Sequence, residues 1–135
     1  MLAQLETAST APNAYLTDEA RAARAFAAID ADGNQALLVA EVDGEVAGAL
    51  HLVIVPNLTH DARPWAIVEN IVVHEHRRRA GVGRELLREA VERARKAGCY
   101  KVQLLSRTER EGAHDFYGSL GFSPSAVGFR LYLAD

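Results

Sequence analysis

The clearest periodic signal runs from Gly81 to Ala97. Val82, Leu86, Ala90, Ala94 and Ala97 recur every three or four residues, with Leu87 and Val91 widening the stripe. The other face carries Arg84, Glu85, Arg88, Glu89, Glu92, Arg93, Arg95 and Lys96. This pattern predicts an amphipathic helix with a solvated charged face, stopped by Gly98. Upstream, two apolar runs, Ala36–Val42 and Val46–Val55, flank Asp43-Gly44. Asp-Gly between such runs predicts an antiparallel hairpin. Trp65–Val73 reads as a third strand and Tyr100–Leu105 as a buried strand suited to a parallel neighbour. Gly128–Leu133 reads as a last strand.

Punctuation supplies the remaining elements. Residues 2–8 read as a short helix broken at Ala11-Pro12-Asn13. Thr17 is the expected N-cap of a second helix reaching about Ile29, with Asp18 and Glu19 favourable to its dipole. Asp32-Gly33-Asn34 is turn chemistry. Ser106-x-x-Glu109 and Thr108-x-x-Glu111 are overlapping capping boxes for a later helix that ends at Leu120-Gly121-Phe122. Strands first, then strand–helix–strand–helix–strand, imply an α/β (α+β) architecture. The sheet is mixed, antiparallel at first and locally parallel at the crossover, with helices on both faces. No linker or repeat divides residues 1–135, so a single domain is expected.

Composition narrows the function classes. Fifteen basic and 18 acidic side chains leave a net charge of −3, against the basic balance of a general nucleic-acid binder. The single Cys99 forms no internal disulfide and builds no cysteine-rich zinc site. His74-x-His76 lacks an evident third ligand, so no metal is expected. No apolar run approaches the ~18 residues of a membrane helix. A cytoplasmic protein with no membrane partner is the expectation.

Chemistry concentrates in Val68–Leu87, VENIVVHEHRRRAGVGRELL. A strand leads into an Arg- and Gly-rich turn that opens a helix, whose free N–H groups and positive dipole end suit an anion. Arg77, Arg78, Arg79 and Arg84 suit phosphate oxygens. The P-loop pattern is absent. The dinucleotide fingerprint fails too, because position 86 is Leu and no acid ends the next strand at Leu105-Ser106.

Arg78-x-x-Gly81-x-Gly83 instead resembles the pyrophosphate loop of the GNAT superfamily of acyl-CoA-dependent N-acetyltransferases. A second, separated motif agrees: Ala113-His114-Asp115-Phe116-Tyr117 followed by Leu120-Gly121-Phe122. The resemblance spans about Ala36 to Leu133. Glu69-Asn70-Ile71-Val72-Val73 with Gly98-Cys99-Tyr100-Lys101 is similar to the glucosamine-phosphate N-acetyltransferase branch, where the residue after the Glu is commonly acidic and here is Asn70. The family usually opens with a strand before its first helix; this chain starts within that helix, so the usual first strand is expected to be absent. An exposed edge at the second strand would invite self-association as a homodimer.

The resemblance implies acetyl-CoA as cosubstrate and a small-molecule amine, possessing aminosugar character, as acceptor. It places the pyrophosphate on Arg78, Arg79, Gly81, Val82, Gly83 and Arg84. It gives the backbone of Ile71 and Val73 the pantetheine arm and the thioester carbonyl. Tyr117 takes the role of acid toward the departing thiolate. Glu69, a carboxylate in an otherwise apolar strand, alternates onto one face with Ile71 and Val73 and is the candidate base. His51, His60, Asp61 and Trp65 lie where the family's acceptor pocket often forms. His114 reads as structural or surface, and Cys99 as packing. The rival reading is a non-catalytic acyl-CoA-binding module; a nucleic-acid role for Arg77–Arg79 ranks third.

Overall fold

A computed structural model describes residues 18–77, 80–106 and 111–134, in two compact units, Met1–Leu104 and Leu105–Asp135. The expected helix over residues 2–8, the break at Ala11-Pro12-Asn13, and Arg78 and Arg79 lie outside the described residues. So do most residues of the two expected capping boxes.

In the first unit, helix α1 spans Glu19–Ala31. Its cap is Asp18, whose carboxylate accepts from Ala20 N at 2.7 Å, so the cap falls one residue later than the expected Thr17. Asp32 then closes an Asx turn: its side chain accepts from Asn34 N at 2.8 Å and from Gln35 Nε2 at 3.0 Å. These two bonds hold the Asp32 carboxyl below the usual carboxylate range.

Strands β1 (Gln35–Val42) and β2 (Glu45–Val55) form the predicted hairpin. Asp43 and Gly44 turn it at φ 53° and 79°, the two positive values that a tight hairpin turn demands. β2 pairs antiparallel with β3 (Trp65–Val73), and β3 pairs parallel with β4 (Val102–Gln103). The sheet order is β1-β2-β3-β4. β4 is shorter than expected, only Val102–Gln103, matched to Ala66 and Ile67. Its N-terminal side is tied by Ala66 N donating to Lys101 O and Tyr100 N donating to Pro64 O, both at 3.0 Å. Among the described residues nothing equivalent continues the ladder past Ile67.

Helix α2 (Val82–Lys96) crosses between β3 and β4 and packs on β1, β2 and β3. It buries Val82, Leu86, Leu87, Ala90 and Ala94 of the stripe read from the sequence, leaving Val91 half-buried and Ala97 exposed at its C-cap, while Arg88–Glu85, Arg93–Glu89 and Arg95–Glu92 pair on its exposed face. Each large buried side chain contributes about 1.5–3 kcal/mol. At its end Gly98, at φ 82°, takes the left-handed position. Cys99 N donates to Ala94 O and Gly98 N to Arg95 O, the paired bonds of a Schellman cap. Burial pushes the Cys99 thiol up. No helix among the described residues is long and apolar enough to cross a membrane.

In the second unit, helix α3 spans Glu111–Ser119 and ends in the same device. Gly121 sits at φ 94°, Phe122 N donates to Tyr117 O at 3.1 Å and Gly121 N to Gly118 O at 3.0 Å. The expected last strand, Gly128–Leu133, is not formed: residues 129–134 have no regular structure and are exposed. A strand exists only through a partner's hydrogen bonds, and the four-stranded sheet does not include this segment.

The contact that seats α2 falls on Gly48. A Cβ added there would lie 2.8 Å from Val72 O, 3.0 Å from Val82 Cγ1 and 3.2 Å from Leu86 Cδ1. The first neighbour is backbone and cannot swing aside. Gly48→Ala is therefore expected to cost about 1–3 kcal/mol in denaturant unfolding. Gly33→Ala, with nothing within 4 Å of the added atom, is the control and should leave the midpoint nearly unchanged.

Candidate active site

The site grows from one extra residue in β3. Glu69 pairs with His51 and Val72 with Ala49, so β3 advances three residues while β2 advances two. Asn70 absorbs the difference at φ 52°, a left-handed conformation that Asn and Asp tolerate better than other side chains. This bulge reverses the face of everything after it. His51 and Ala49 share one face of β2, so Glu69 and Val72 share that face too. Val73, opposite Gly48, points to the other, with Ile71 two residues before it.

The expectation that Glu69 shares a face with Ile71 and Val73 is thereby corrected. Strict alternation fails at a bulge. Since Gly48 faces Val82 and Leu86, α2 covers the Val73 face, and Glu69 stands on the opposite one. That opposite face is the more open toward β1, where Leu37 is 40% and Val39 50% exposed, while Ala49 and Val72 on it are buried; on the α2 side Leu38, Leu50 and Leu52 are 8%, 1% and 2% exposed.

Backbone donors follow the same register. His74 N donates to Ala47 O on β2 at 2.7 Å. N–H groups alternate in direction along a strand, so the Val73 N–H points away from β2, toward the edge that β4 occupies only at Ala66 and Ile67. From Ile67 to Val73 this edge runs for about 20 Å with no pairing strand among the described residues.

The Gly-rich turn begins just past Val73. A single 3₁₀ turn, Glu75–Arg77, leads to Gly81, the N-cap of α2, at φ 83° and ψ 8°. No side-chain hydrogen bond caps this end, and the first backbone bond of the helix is Glu85 N to Gly81 O at 3.0 Å. Val82 and Gly83 thus lie where helix N–H groups have no intrahelical acceptor. Arg77 turns instead to the hairpin, 3.5 Å from the Asp43 carboxylate. Arg84, in the first turn of α2, is half-buried.

Not every sequence candidate gathers here. His51 does: it lies directly across the ladder from Glu69, and its Nε2 is 2.8 Å from Gln35 Oε1. Trp65 starts β3, about 13 Å along the strand from Glu69. Its ring carries Lys101 Nζ at 4.7 Å from its centroid. His60 stacks on Tyr100 at 3.9 Å, in a loop where His60, Asp61 and Ala62 are all left-handed. His74 and His76 stack at 4.9 Å, and among the described residues no three potential metal ligands converge.

On α3, the Tyr117 ring meets Phe122 edge-on at 6.1 Å and Phe116 at 5.4 Å. His114 is exposed on the same helix. The bulge at Asn70 and the proximity of His51 to Glu69 were the features missed by pattern reading. An Asn inside an apolar strand was the available signal for the first.

The sequence pattern of the acetyltransferase (GNAT) family matches residues 3–122. Glucosamine 6-phosphate N-acetyltransferase of Trypanosoma brucei brucei is 37% identical over 90 residues, 67% of this chain, which spans 59% of that protein's length. Glucosamine 6-phosphate N-acetyltransferase 1 of Oryza sativa subsp. japonica is 35% identical over 125 residues, covering 90% of this chain and 73% of the relative. A solved structure described as a putative acetyltransferase from Agrobacterium tumefaciens str. C58 superposes with a TM-score of 0.86 at 39% identity, covering 97% of this chain and 90% of that one. With its mixed sheet, its bulged third strand and its Gly-rich helix start, the chain belongs to the acetyltransferase (GNAT) family.

Proposed function

We propose that the protein is an N-acetyltransferase that moves the acetyl group of acetyl-CoA to a primary amine by direct attack within a ternary complex. The observation that carries this reading is the Val73 N–H. It points off the ladder at the end of β3, beside an unpaired strand edge and one short turn before an uncapped helix start. An arm with amide groups can bond along that edge as a strand would, and a pyrophosphate can take the N–H groups of Val82 and Gly83. Arg78, Arg79 and Arg84 supply positive charge by the family pattern, and Ile71 and Val73 supply backbone contacts. A metal has no part in this scheme.

The amine nitrogen attacks the thioester carbonyl carbon. Its C–N bond forms as the oxyanion is held by the Val73 N–H, a contribution of about 3 kcal/mol for such a donor. The C–S bond then breaks and the thiolate leaves. Glu69 takes the proton lost by the amine. Its position on the open face, opposite the one covered by α2, supports entry of cofactor and amine from different sides. By family resemblance Tyr117 returns a proton to the thiolate. The acceptor is a small aminosugar-like amine, in keeping with the glucosamine 6-phosphate N-acetyltransferases at 35–37% identity.

Acetyl-CoA at about 100 times its dissociation constant should raise the unfolding free energy by about 2.7 kcal/mol and the Tm by several degrees. Gly83→Glu, which sets a carboxylate in the anion site, should weaken acetyl-CoA binding by about 100-fold in calorimetry. Normal binding by that variant would displace the pyrophosphate from this loop. Acetyl-CoA binding without thiol release across a panel of amines, glucosamine 6-phosphate included, would favour the binding-module reading.

Two further variants separate the proton steps. Tyr117→Phe keeps the ring against Phe122, and turnover should fall by roughly 10- to 100-fold with acetyl-CoA affinity unchanged. Glu69→Gln, at an exposed position, should likewise fold normally and lower kcat/KM most strongly near neutral pH, where the amine is still protonated. Activity retained at higher pH is the expected signature of a lost base.

A further inference from the structure

We infer that His51 is a second proton acceptor beside Glu69, held by Asp32 and Gln35 in the tautomer that leaves Nδ1 to act. The inference deepens the acetyl-transfer reading and rests on it. Glu69 and His51 oppose each other directly across the β2–β3 ladder. Cβ atoms in that relation stand about 5 Å apart, so one nitrogen atom can lie within reach of both side chains. Glu69 is exposed and His51 half-buried, on the face away from α2. Among the described residues neither the Glu69 carboxylate nor His51 Nδ1 has a hydrogen-bond partner.

The tautomer follows from a short chain of bonds that starts in the turn before β1. Gln35 and the Asn34 backbone hold the Asp32 carboxyl below the usual carboxylate range, so it is ionised and can only accept. The Gln35 atom 3.0 Å from it is therefore the amide nitrogen, which turns the amide oxygen toward β2. That oxygen also only accepts, and it lies 2.8 Å from His51 Nε2. Nε2 must then carry a hydrogen, and in the neutral ring the lone pair sits on Nδ1. Gln35 stands opposite Val53, two residues along the same face of β2 from His51, so the bond runs diagonally across the β1–β2 ladder.

Few other charges face this ring. β2 packs against β1, β3 and α2. From β1 it meets Leu37 directly, and Gln35 with Asp32 behind it; from β3 it meets Glu69; α2 lies on the other side of the sheet.

The proton count gives a second acceptor its purpose. An amine that arrives as an ammonium loses two protons from nitrogen on the way to an amide. The first loss frees the lone pair that attacks the thioester carbon. The second accompanies formation of the C–N bond and breakage of the C–S bond. One of the two makes up for the proton that the thiolate takes, and the other passes to solvent. A carboxylate holds one proton at a time. Glu69 takes the first, and His51 Nδ1 takes the second. Gln35 and Asp32 are positioning residues, which touch no reacting atom.

The test follows thiol release from acetyl-CoA against pH in the full chain, with glucosamine 6-phosphate or whichever amine of the panel turns over fastest. Imidazole NMR on the nitrogen-labelled chain reads the tautomer in parallel. His51→Gln should lower kcat/KM by roughly 10- to 100-fold near neutral pH and make the acid limb of log kcat/KM shallower by about one unit of slope, with the KM for acetyl-CoA unchanged. Gln35→Leu should lower kcat less, and should show both ring tautomers where the unsubstituted chain shows hydrogen on Nε2 alone. Three results would overturn the inference: a hydrogen on Nδ1 of the neutral ring in the unsubstituted chain, turnover that His51→Gln leaves unchanged, or a His51→Gln profile lowered equally at every pH, as loss of a merely structural residue gives. If the unsubstituted chain releases no thiol with any amine of the panel, the acetyl-transfer reading itself fails and takes this inference with it, whichever tautomer the ring shows.

Discussion

The candidate site depends on how closely the start of α2 lies against the sheet. That distance is set by Gly48, whose missing Cβ leaves room for Val82 and Leu86 on one side and the Val72 carbonyl on the other. Gly48 is also the register partner of Val73. One small residue therefore brings together the last residue of β3 and the first turn of the helix that follows the Gly-rich loop. Ala90 and Ala94, 0% and 1% exposed, continue the close approach along the helix. Larger residues along this line would lift α2 from the sheet and carry its N–H groups away from the strand end. Under the proposed mechanism, packing and anion binding are thus coupled through sterics.

The second constraint is topological. An extra residue in a strand costs a ladder position and some backbone strain, and it persists only where the surrounding pairing determines it. Here it reverses the side-chain faces between Glu69 and Val73. A regular strand would have put the carboxylate on the side covered by α2. The bulge puts it on the open side, across from His51, while the Val73 N–H still points along the plane of the sheet. Under the proposed mechanism this is what gives a thioester and an amine separate routes to one point. It also accounts for Asn70 where the aminosugar branch commonly carries an acid, since Asn and Asp both tolerate a positive φ. The requirement at this position is a backbone conformation, which Asn70 meets without a charge.

Much of the architecture was legible because it is written in local chemistry. Asp43-Gly44 permits two positive φ values, so the hairpin turn was readable, though the shift of its register between Ala40 and Glu41 was not. Gly98 and Gly121 take the left-handed cap positions, so both helix ends were readable. The five buried residues of α2 all belong to the stripe that its period predicts, and only Val91 and Ala97 of that stripe fall outside the buried set. What escaped notice depends on partners distant in sequence. A bulge is a mismatch between two strands and shows in neither alone. The length of β4 is decided by where β3 stops pairing with it, which Tyr100–Leu105 does not encode. Gly128–Leu133 has the composition of a strand, yet a strand is a property of a pair, and the expected one is not formed. Of the site, the glycines and the carboxylate were visible as residue types; the face each one occupies was not.

The Tyr–Gly–Phe motif shows how one set of residues can carry two requirements. Phe122 N bonds Tyr117 O, Gly121 takes the left-handed position, and the two rings touch, which together make a Schellman cap with its usual apolar contact. A helix end of this design needs glycine, a bulky residue after it and a bulky residue near the last turn. It does not need a phenol. Any apolar ring at position 117 would satisfy the cap, so the cap explains the spacing of the motif without explaining the hydroxyl. The hydroxyl is the part of the motif that the cap does not require, and it is the part to which the proposed mechanism gives a role.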